Sequence, residues 1–246
     1  DVPEHIEDEE EPPLQEVRLA QRMAGGLNWL ATRTRPDIAF TVGQLASAAT
    51  RAPQRALALG KRILRYLAGT RTHGLELRIP IRPREGGGIS EAVLEGFGDA
   101  SYEEGWAQTG VLLKYRGMTI TWKSVKQIQV PRSTAESEVT AVAFSAQYVE
   151  GLKALYEDIF VILDTPILWC DNRAAARLTS SPGEWRTQAL VNRVLGVRSL
   201  VELKVLLVRF KATLGMQADV LTKFMGGKIR SRQRELVGCV PLGNAS

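Results

Sequence analysis

The periodicity of the apolar residues changes in the middle of the chain, and this change constrains the fold more than any other feature. Before residue 80 the apolar residues recur at helical spacing, whereas after residue 90 short apolar runs alternate with turns and helical stretches. Between these two regions, Arg82–Gly88 contains one proline and three successive glycines, which break any regular period. We therefore predict a small helical segment at residues 14–80, a linker at residues 81–90 and an α/β domain at residues 91–225.

The helical segment is predicted to contain three helices and a short strand. The first helix begins near Leu14, and Pro36 and Pro53 lie in the first turns of the second and third helices, where proline is tolerated. The third helix ends near Leu67 and is followed by a strand at Leu75–Ile79.

The α/β domain is predicted to begin with three strands joined by short turns. The predicted elements are strands Val93–Gly98, Gly110–Tyr115 and Met118–Trp122, a helix Ser133–Tyr156, a strand Ile167–Cys170, helices Ala174–Leu178 and Ala189–Val201, a strand Lys204–Phe210 and a helix Ala218–Phe224. This order predicts a mixed sheet that starts with an antiparallel meander and carries helices on its faces. Trp122 and Trp169 are predicted to be core residues rather than stacking surfaces.

The chain is strongly basic outside its first 13 residues. Residues 1–13 hold seven acids and no Lys or Arg, which predicts a disordered acidic tail. The rest of the chain therefore contains 20 of the 27 Asp and Glu residues and all 32 Lys and Arg residues, which is an excess of 12 positive charges. Such an excess indicates a polyanionic partner or, alternatively, a surface that only keeps the chain soluble. Residues 226–246 are predicted to form a C-terminal tail.

The composition excludes several classes of protein. No apolar run approaches the roughly 18 residues that a membrane-spanning helix needs, so we expect no membrane association. The chain has only two cysteines, which cannot build a disulfide framework and which favour a reducing compartment. It has only two histidines, which argues against a hydrolase of the Ser-His-Asp type. Acid–base or metal chemistry would therefore depend on carboxylates. Because the sequence begins at Asp1 rather than Met, we expect a fragment or a processed piece.

Two aspartates follow predicted strands directly. Asp99 and Asp171 would lie at the carboxyl ends of their strands, where open α/β sheets bind ligands. Taken singly, each is better explained as an aspartate of a turn or a helix cap.

Three further carboxylates lie on predicted helices. Glu136 fits a capping box with Ser133, and this gives Glu136 a structural task. Glu138 has no such local task and lies beside an apolar face, so it either has a partner or lies at the edge of that face. Asp219 opens the last predicted helix, where an acid also stabilises the helix dipole. If Asp99, Glu138, Asp171 and Asp219 converge on one rim of the sheet, their repulsion calls for cations such as Mg²⁺ or Mn²⁺.

Seven short motifs follow one another between residues 20 and 225. They are Leu27–Phe40, Lys61–Thr70, Gly98–Ala100, Ile120–Gln127, Ser133–Glu138, Cys170–Asn172 and Ala218–Lys223. In this order they resemble the end of the Pol polyprotein of copia-type retrotransposons. The resemblance implies that residues 14–80 are the thumb- or connection-like end of a reverse transcriptase and that residues 91–225 are an RNase H-like domain. The Tyr-x-Asp-Asp polymerase motif does not occur, so we expect no polymerase activity.

The resemblance also implies a site and an activity. The catalytic and metal-binding tetrad would be Asp99, Glu138, Asp171 and Asp219, with two Mg²⁺ or Mn²⁺ ions and no small-molecule cofactor. The expected reaction is two-metal hydrolysis of the RNA strand of an RNA/DNA hybrid. The expected partners are this hybrid and the rest of the Pol polyprotein, and the expected location is a cytoplasmic virus-like particle or the nucleus. The candidate contacts with the hybrid are Ser101, Lys123, Lys126, Arg132 and Asn172.

The chain departs from the family at two places on the substrate side. Arg186-Thr187 continues into Gln188–Val191 instead of the usual Lys-His-Ile-Asp, and Tyr102–Trp106 replaces a basic stretch after the first aspartate. Two alternatives therefore stay open beside the nuclease. One is an inactive or host-adopted remnant that binds nucleic acid, and the other is an interaction module of a larger protein.

Overall fold

The computed structural model of the chain describes residues 11–77, 94–103, 105–159, 164–180, 188–224 and 227–242. Most of the predicted acidic tail, the predicted linker at residues 81–90 and the departure at Arg186-Thr187 lie outside these ranges. None of the helices within these ranges is both long enough and apolar enough to cross a bilayer.

Helices and strands alternate in the order that the sequence predicts for most of the chain. The helices are α1 (Leu14–Arg33), α2 (Ala39–Ala48), α3 (Pro53–Gly69), α4 (Thr134–Ile159), α5 (Arg173–Ser180), α6 (Gln188–Glu202) and α7 (Gly227–Leu236). The strands are β1 (His73–Leu75), β2 (Leu94–Glu103), β3 (Trp106–Tyr115), β4 (Met118–Lys126), β5 (Ile167–Cys170), β6 (Leu207–Phe210) and β7 (Cys239–Pro241). Three 3₁₀ helices cover Pro36–Ile38, Thr213–Gly215 and Gln217–Leu221.

Five strands form one mixed sheet in the order β4-β3-β2-β5-β6. The β2–β3 and β3–β4 pairs are antiparallel, whereas β5 lies parallel to both β2 and β6. Helix α4 connects the meander to β5 and crosses one face of the sheet, as a parallel connection requires. The α/β class, with an antiparallel meander followed by parallel strands, is therefore confirmed.

Each face of the sheet is covered by its own apolar cluster, because side chains alternate along a strand. Val111 and Leu113 of β3 lie in the cluster beneath α4, together with Val142 and Val149 of that helix. Leu112 faces the opposite side. That second cluster also contains the buried side chains of Phe97, Met216, Leu221 and Val237.

The helical segment has its own core and also contacts the sheet. Leu27, Leu45 and Ile63 bring α1, α2 and α3 together in one buried cluster. Trp122 Nε1 of β4 donates a hydrogen bond of 2.6 Å to the Ala31 carbonyl of α1. Trp122 is half-buried against the second cluster of the sheet, as Trp169 is, so both are core residues as predicted.

The described part of the C-terminal region is ordered structure that the sequence analysis did not predict. Within residues 227–242, α7 is followed by β7, which pairs antiparallel with β1. Thr119 Oγ1 donates a 2.8 Å hydrogen bond to the Val237 carbonyl, which connects this region to β4. Helix α7 is rich in charged residues, and the partner of β7 lies more than 160 positions away, so local patterns showed neither element.

Gly110 allows the 3₁₀ helix Gln217–Leu221 to approach the sheet. A Cβ atom on Gly110 would lie 2.8 Å from Thr222 Cγ2 and 2.9 Å from the Ala218 carbonyl oxygen. Gly110→Ala is therefore expected to push this helix outward and to lower the free energy of unfolding by about 1–3 kcal/mol, the usual effect of overpacking. Urea denaturation measures this change.

The matched control is Gly43→Ala in α2. A Cβ atom on Gly43 would meet nothing within 4 Å, and alanine favours a helix more than glycine does, so no loss of stability is expected. Equal destabilisation by the two substitutions would show that the close approach at Gly110 is not the cause.

Candidate metal centre at the rim of the sheet

Asp99 lies inside β2 and not at its end, so this detail of the sequence prediction is wrong. Strand β2 continues to Glu103, because its hairpin partner β3 keeps pairing as far as Trp106. The neighbouring strand β5, however, pairs with β2 only as far as Phe97 and ends at Cys170. Asp99 therefore lies just beyond the end of β5, on the rim that the prediction identified.

Three of the four predicted carboxylates meet at this rim. Asp171 directly follows β5. Glu138 lies near the start of α4, which packs on the face of the sheet opposite to the side chain of Asp99. One carboxylate oxygen from each of Asp99, Glu138 and Asp171 lies within 4.8 Å of the other two. We call these three residues the triad. Asp99 and Glu138 are buried, with exposed fractions of 1% and 6%, whereas Asp171 is half-buried.

Asp219 lies beside the triad but is not part of it. It belongs to the 3₁₀ helix Gln217–Leu221, and its negative charge contributes to raising the pKa values of Asp99 and Asp171. Asp219 Oδ1 accepts a hydrogen bond of 2.7 Å from Lys223 Nζ. The fourth predicted residue is thus near the triad, and its carboxylate is bound to a lysine.

Burial raises the pKa values of the triad. Desolvation is the main cause at Asp99, whose pKa is raised to about 7 although the charge of Lys223 acts in the opposite direction. Desolvation, followed by the charges of Asp99 and Asp171, raises the pKa of Glu138 to about 9. The pKa of Asp171 is also raised, again mainly by desolvation. The triad therefore resists holding three negative charges without cations.

Two carboxylate oxygens of the triad have no donor in the described structure. Asp99 Oδ1 and Glu138 Oε2 are buried and accept no hydrogen bond from any described residue. A buried polar atom without a partner is costly, and such atoms are rare in native structures. A set of donors made entirely of carboxylate oxygens suits a hard cation such as Mg²⁺ or Mn²⁺. The residues at this rim therefore fit the expected metal.

Thr222 and Lys223 support the carboxylates, and the sequence analysis assigned no site role to either. Thr222 Oγ1 donates a hydrogen bond to Asp99 Oδ2, and Lys223 Nζ lies 3.7 Å from the same oxygen. The signal was their spacing, because positions three and four after Asp219 lie on one side of a helical turn. Thr213 Oγ1 likewise donates to Asp171 Oδ2 at 3.3 Å.

Gln127 fixes the start of α4 against the sheet. Its Nε2 donates hydrogen bonds of 2.9 Å to Thr109 Oγ1 of β3 and to the Ser137 carbonyl. Since Ser137 directly precedes Glu138, these contacts set the position of Glu138 relative to the strand next to Asp99. Gln127 lies in one of the family-like motifs, but its role depends on contacts that the sequence does not show.

Glu136 and Glu138 have different surroundings, as predicted. The Glu136 backbone N–H donates to Ser133 Oγ at 3.2 Å, and Glu136 Oε2 accepts from the Arg132 backbone N–H at 2.8 Å. These contacts confirm the capping role of Glu136, although the carboxylate reaches Arg132 rather than the N–H of Ser133. Glu138 is directed into the triad.

The predicted nucleic-acid contacts do not lie on one surface. Ser101 of β2 pairs with Gln108, which pairs with Lys126, so these residues form a row on the same face as Asp99. Lys123 pairs with Val111, which lies in the cluster beneath α4, and it therefore belongs to the opposite face.

The other two predicted contacts precede helices. Arg132 is exposed before α4, in the loop that follows β4. Asn172 Oδ1 accepts a 3.0 Å hydrogen bond from the Ala175 backbone N–H and so caps α5. Asn172 thus has a structural role as well as its position next to Asp171.

The raised pKa values predict how the stability of the metal-free chain depends on pH. The folded state holds the protons of Asp99 and Glu138 more tightly than the unfolded state does, and this difference stabilises the folded state. The stabilisation is complete below about pH 4 and is lost as the pH rises toward 7 for Asp99 and toward 9 for Glu138. In EDTA, the free energy of unfolding should therefore fall by about 2 kcal/mol or more between pH 5 and pH 8. Urea denaturation across this range tests the prediction, and constant or rising stability would contradict it.

Comparisons with known proteins identify relatives among retrotransposons. The chain is 31% identical over 207 residues to the "Retrovirus-related Pol polyprotein from transposon RE1" of Arabidopsis thaliana, a match that covers 82% of this chain and 13% of that protein. It is 29% identical over 219 residues to the corresponding polyprotein from transposon TNT 1-94 of Nicotiana tabacum, with 87% and 16% covered. The chain thus spans about one seventh of the length of these relatives.

One further similarity covers a smaller part of the chain. The "Secreted RxLR effector protein 161" of Plasmopara viticola is 37% identical over 128 residues, which cover 50% of this chain and 83% of the effector. No family model matches the chain.

The strand order, with an antiparallel meander followed by two parallel strands, agrees with the mixed sheet and flanking helices predicted from the sequence. Among solved structures, the LC11-RNase H1 in complex with an RNA/DNA hybrid matches 52% of this chain and 93% of its own, at 14% identity and a TM-score of 0.43.

Proposed function

We propose that this chain, which belongs to the retrovirus-related Pol polyproteins of copia-type transposons, is the ribonuclease H segment of such a polyprotein. In this proposal it hydrolyses the RNA strand of RNA/DNA hybrids during reverse transcription, inside the cell, in a virus-like particle or in the nucleus. The observation that carries the proposal is the triad of Asp99, Glu138 and Asp171, in which the first two residues are buried and two carboxylate oxygens have no donor among the described residues.

Each carboxylate has a distinct task in this proposal. Asp99, Glu138 and Asp171 would hold one divalent ion, and Asp99 and Asp219, whose charges interact, would hold a second. Two such ions supply an activated water and neutralise the charge on the leaving oxygen of a phosphate ester. Thr222 and Thr213 would keep the carboxylates of Asp99 and Asp171 in orientation through the hydrogen bonds that they donate.

The surroundings of the site suit a polyanionic substrate. Ser101 and Lys126 share the face of Asp99, and we propose them as contacts with the hybrid. Arg132 and Asn172, which precede helices, and Lys123, which lies on the opposite face of the sheet, remain candidate contacts. The basic excess of the chain and the exposed arginines on α3 support additional contacts with phosphates, and these exposed residues are Arg55, Arg62 and Arg65.

The test is a cleavage assay with the full chain and labelled duplexes. We expect cleavage of the RNA in an RNA/DNA hybrid with Mg²⁺ or Mn²⁺, none in EDTA, and none of a DNA duplex of the same sequence. Asp171→Asn should lose cleavage and keep binding to the hybrid. Binding without cleavage by the wild-type chain would instead support an inactive or host-adopted remnant. Neither binding nor cleavage would favour an interaction module.

A further inference from the structure

Lys223 places a positive charge on one side of the carboxylate cluster. Its Nζ lies 2.7 Å from Asp219 Oδ1 and 3.7 Å from Asp99 Oδ2. The side chain of Lys223 is 40% exposed, whereas those of Asp99 and Asp219 are 1% and 8% exposed. The ammonium group therefore contacts buried carboxylates, while much of the lysine side chain is already open to solvent.

The two oxygens of Asp99 differ in their surroundings. Oδ2 accepts a hydrogen bond from Thr222 and faces Lys223, whereas Oδ1 has no donor among the described residues. Glu138 Oε2 is unpartnered in the same way. The cluster thus has a triad side, where Asp99 Oδ1 and Glu138 Oε2 accept no hydrogen bond from a described residue, and a lysine side, formed by Asp99, Asp219 and Lys223. The charge of Lys223 also acts on Glu138 and Asp171, but its ammonium contacts only the lysine side.

We propose that Lys223 is an internal cation that neutralises the lysine side in the metal-free chain and makes two divalent ions bind in order. The inference rests on the metal-binding part of the proposed function. The first ion binds on the triad side, where unpartnered carboxylate oxygens are available. The second ion needs Asp99 and Asp219, so the ammonium of Lys223 has to withdraw into solvent before it binds. Like charges a few ångströms apart repel, and Lys223 therefore weakens the second site while it stabilises the metal-free fold.

The experiment compares variants of the full chain in two measurements that do not depend on cleavage. Thermal melts in EDTA measure the stability that Lys223 gives to the carboxylates, and calorimetric titration with MnCl₂ measures the number and affinity of the ion sites. Lys223→Met should melt roughly 3–6 °C below wild type in EDTA, because the repulsion among the carboxylates is no longer offset. The same variant should bind the second ion about tenfold more tightly, a difference of about 1.4 kcal/mol.

Three further variants make the test specific. Lys223→Arg keeps the positive charge and should resemble wild type in both measurements. The double variant Asp219→Asn with Lys223→Met removes both charges of the pair and should recover most of the melting temperature in EDTA. Lys153→Met removes another lysine that pairs with an acid four residues later, Glu157 on α4, and it should change neither the number nor the affinity of the ion sites.

The outcomes separate this inference from the nuclease proposal. In one outcome, the wild-type chain binds two ions in order, Lys223→Met makes the affinities of the two sites nearly equal, and the chain does not cleave the hybrid. This outcome would support the role of Lys223 and contradict the nuclease. Cleavage by a chain whose EDTA melt and Mn²⁺ titration are unaffected by Lys223→Met would overturn the role of Lys223 and leave the nuclease. If Lys223→Met does not fold, a double variant that fails to recover also counts against the inference.

Discussion

Asp99→Asn is expected to reduce cleavage of the hybrid by at least about 1,000-fold and to leave the metal-free chain at least as stable as wild type. Asp99 is the most buried carboxylate of the site, it belongs to the triad, and its charge interacts with that of Asp219, so its loss would weaken both proposed ion positions. Asparagine has a similar shape and can still accept the hydrogen bond from Thr222. It also removes a buried negative charge that is repelled by Asp219 and Asp171.

Thermal melts with and without Mg²⁺ measure this effect independently of catalysis. An ion that binds the folded state preferentially raises its melting temperature, and the wild-type chain should show this increase. Asp99→Asn should show a much smaller increase. Asp164→Asn is the matched control, since Asp164 is exposed in the connection before β5, and it should keep both cleavage and the Mg²⁺ response. An undiminished Mg²⁺ response in Asp99→Asn would mean that Asp99 is not a ligand.

The site could be predicted from the sequence where local pattern and chemistry agree. Asp171 follows a short apolar run, and this run is the strand β5. Glu138 differs from Glu136 because a capping box accounts for only one of them. The prediction for Asp99 was right about the rim and wrong about the end of the strand, because the pairing of the hairpin continues through polar residues that carry no apolar signal.

The features of the fold and of the site that the sequence did not predict depend on contacts between positions far apart in the chain. Thr222 contacts Asp99 across 123 positions, and β1 pairs with β7 across more than 160 positions. The spacing of Thr222 from Asp219 indicates a shared side of a turn but not the contact with Asp99, and a three-residue strand has the same local pattern as a loop. The close approach of the 3₁₀ helix at Gly110 is similar, because the sequence shows a glycine but not the element that packs on it.

Glu138→Gln is expected to lower cleavage of the hybrid by at least about 1,000-fold, whereas Glu136→Gln should stay within a few-fold of wild type. Glu138 is 6% exposed and contributes an unpartnered oxygen to the triad, and a neutral amide would replace a ligand of the proposed ions. Glu136 accepts a hydrogen bond from the Arg132 backbone N–H, and glutamine can accept the same bond. The two positions lie in the same helix two residues apart, so each variant serves as the control for the other.

The same pair of variants also separates catalysis from electrostatics. Because burial raises the pKa of Glu138 to about 9, its deprotonation opposes folding as the pH rises, and Glu138→Gln removes that contribution. In EDTA, the stability of Glu138→Gln should therefore fall less between pH 5 and pH 8 than that of wild type, while Glu136→Gln should keep the wild-type slope. Cleavage assays and urea denaturation at several pH values give the two readouts. If both variants lost cleavage equally and kept the wild-type pH slope, Glu138 would have neither the burial cost nor the catalytic task that we assign to it.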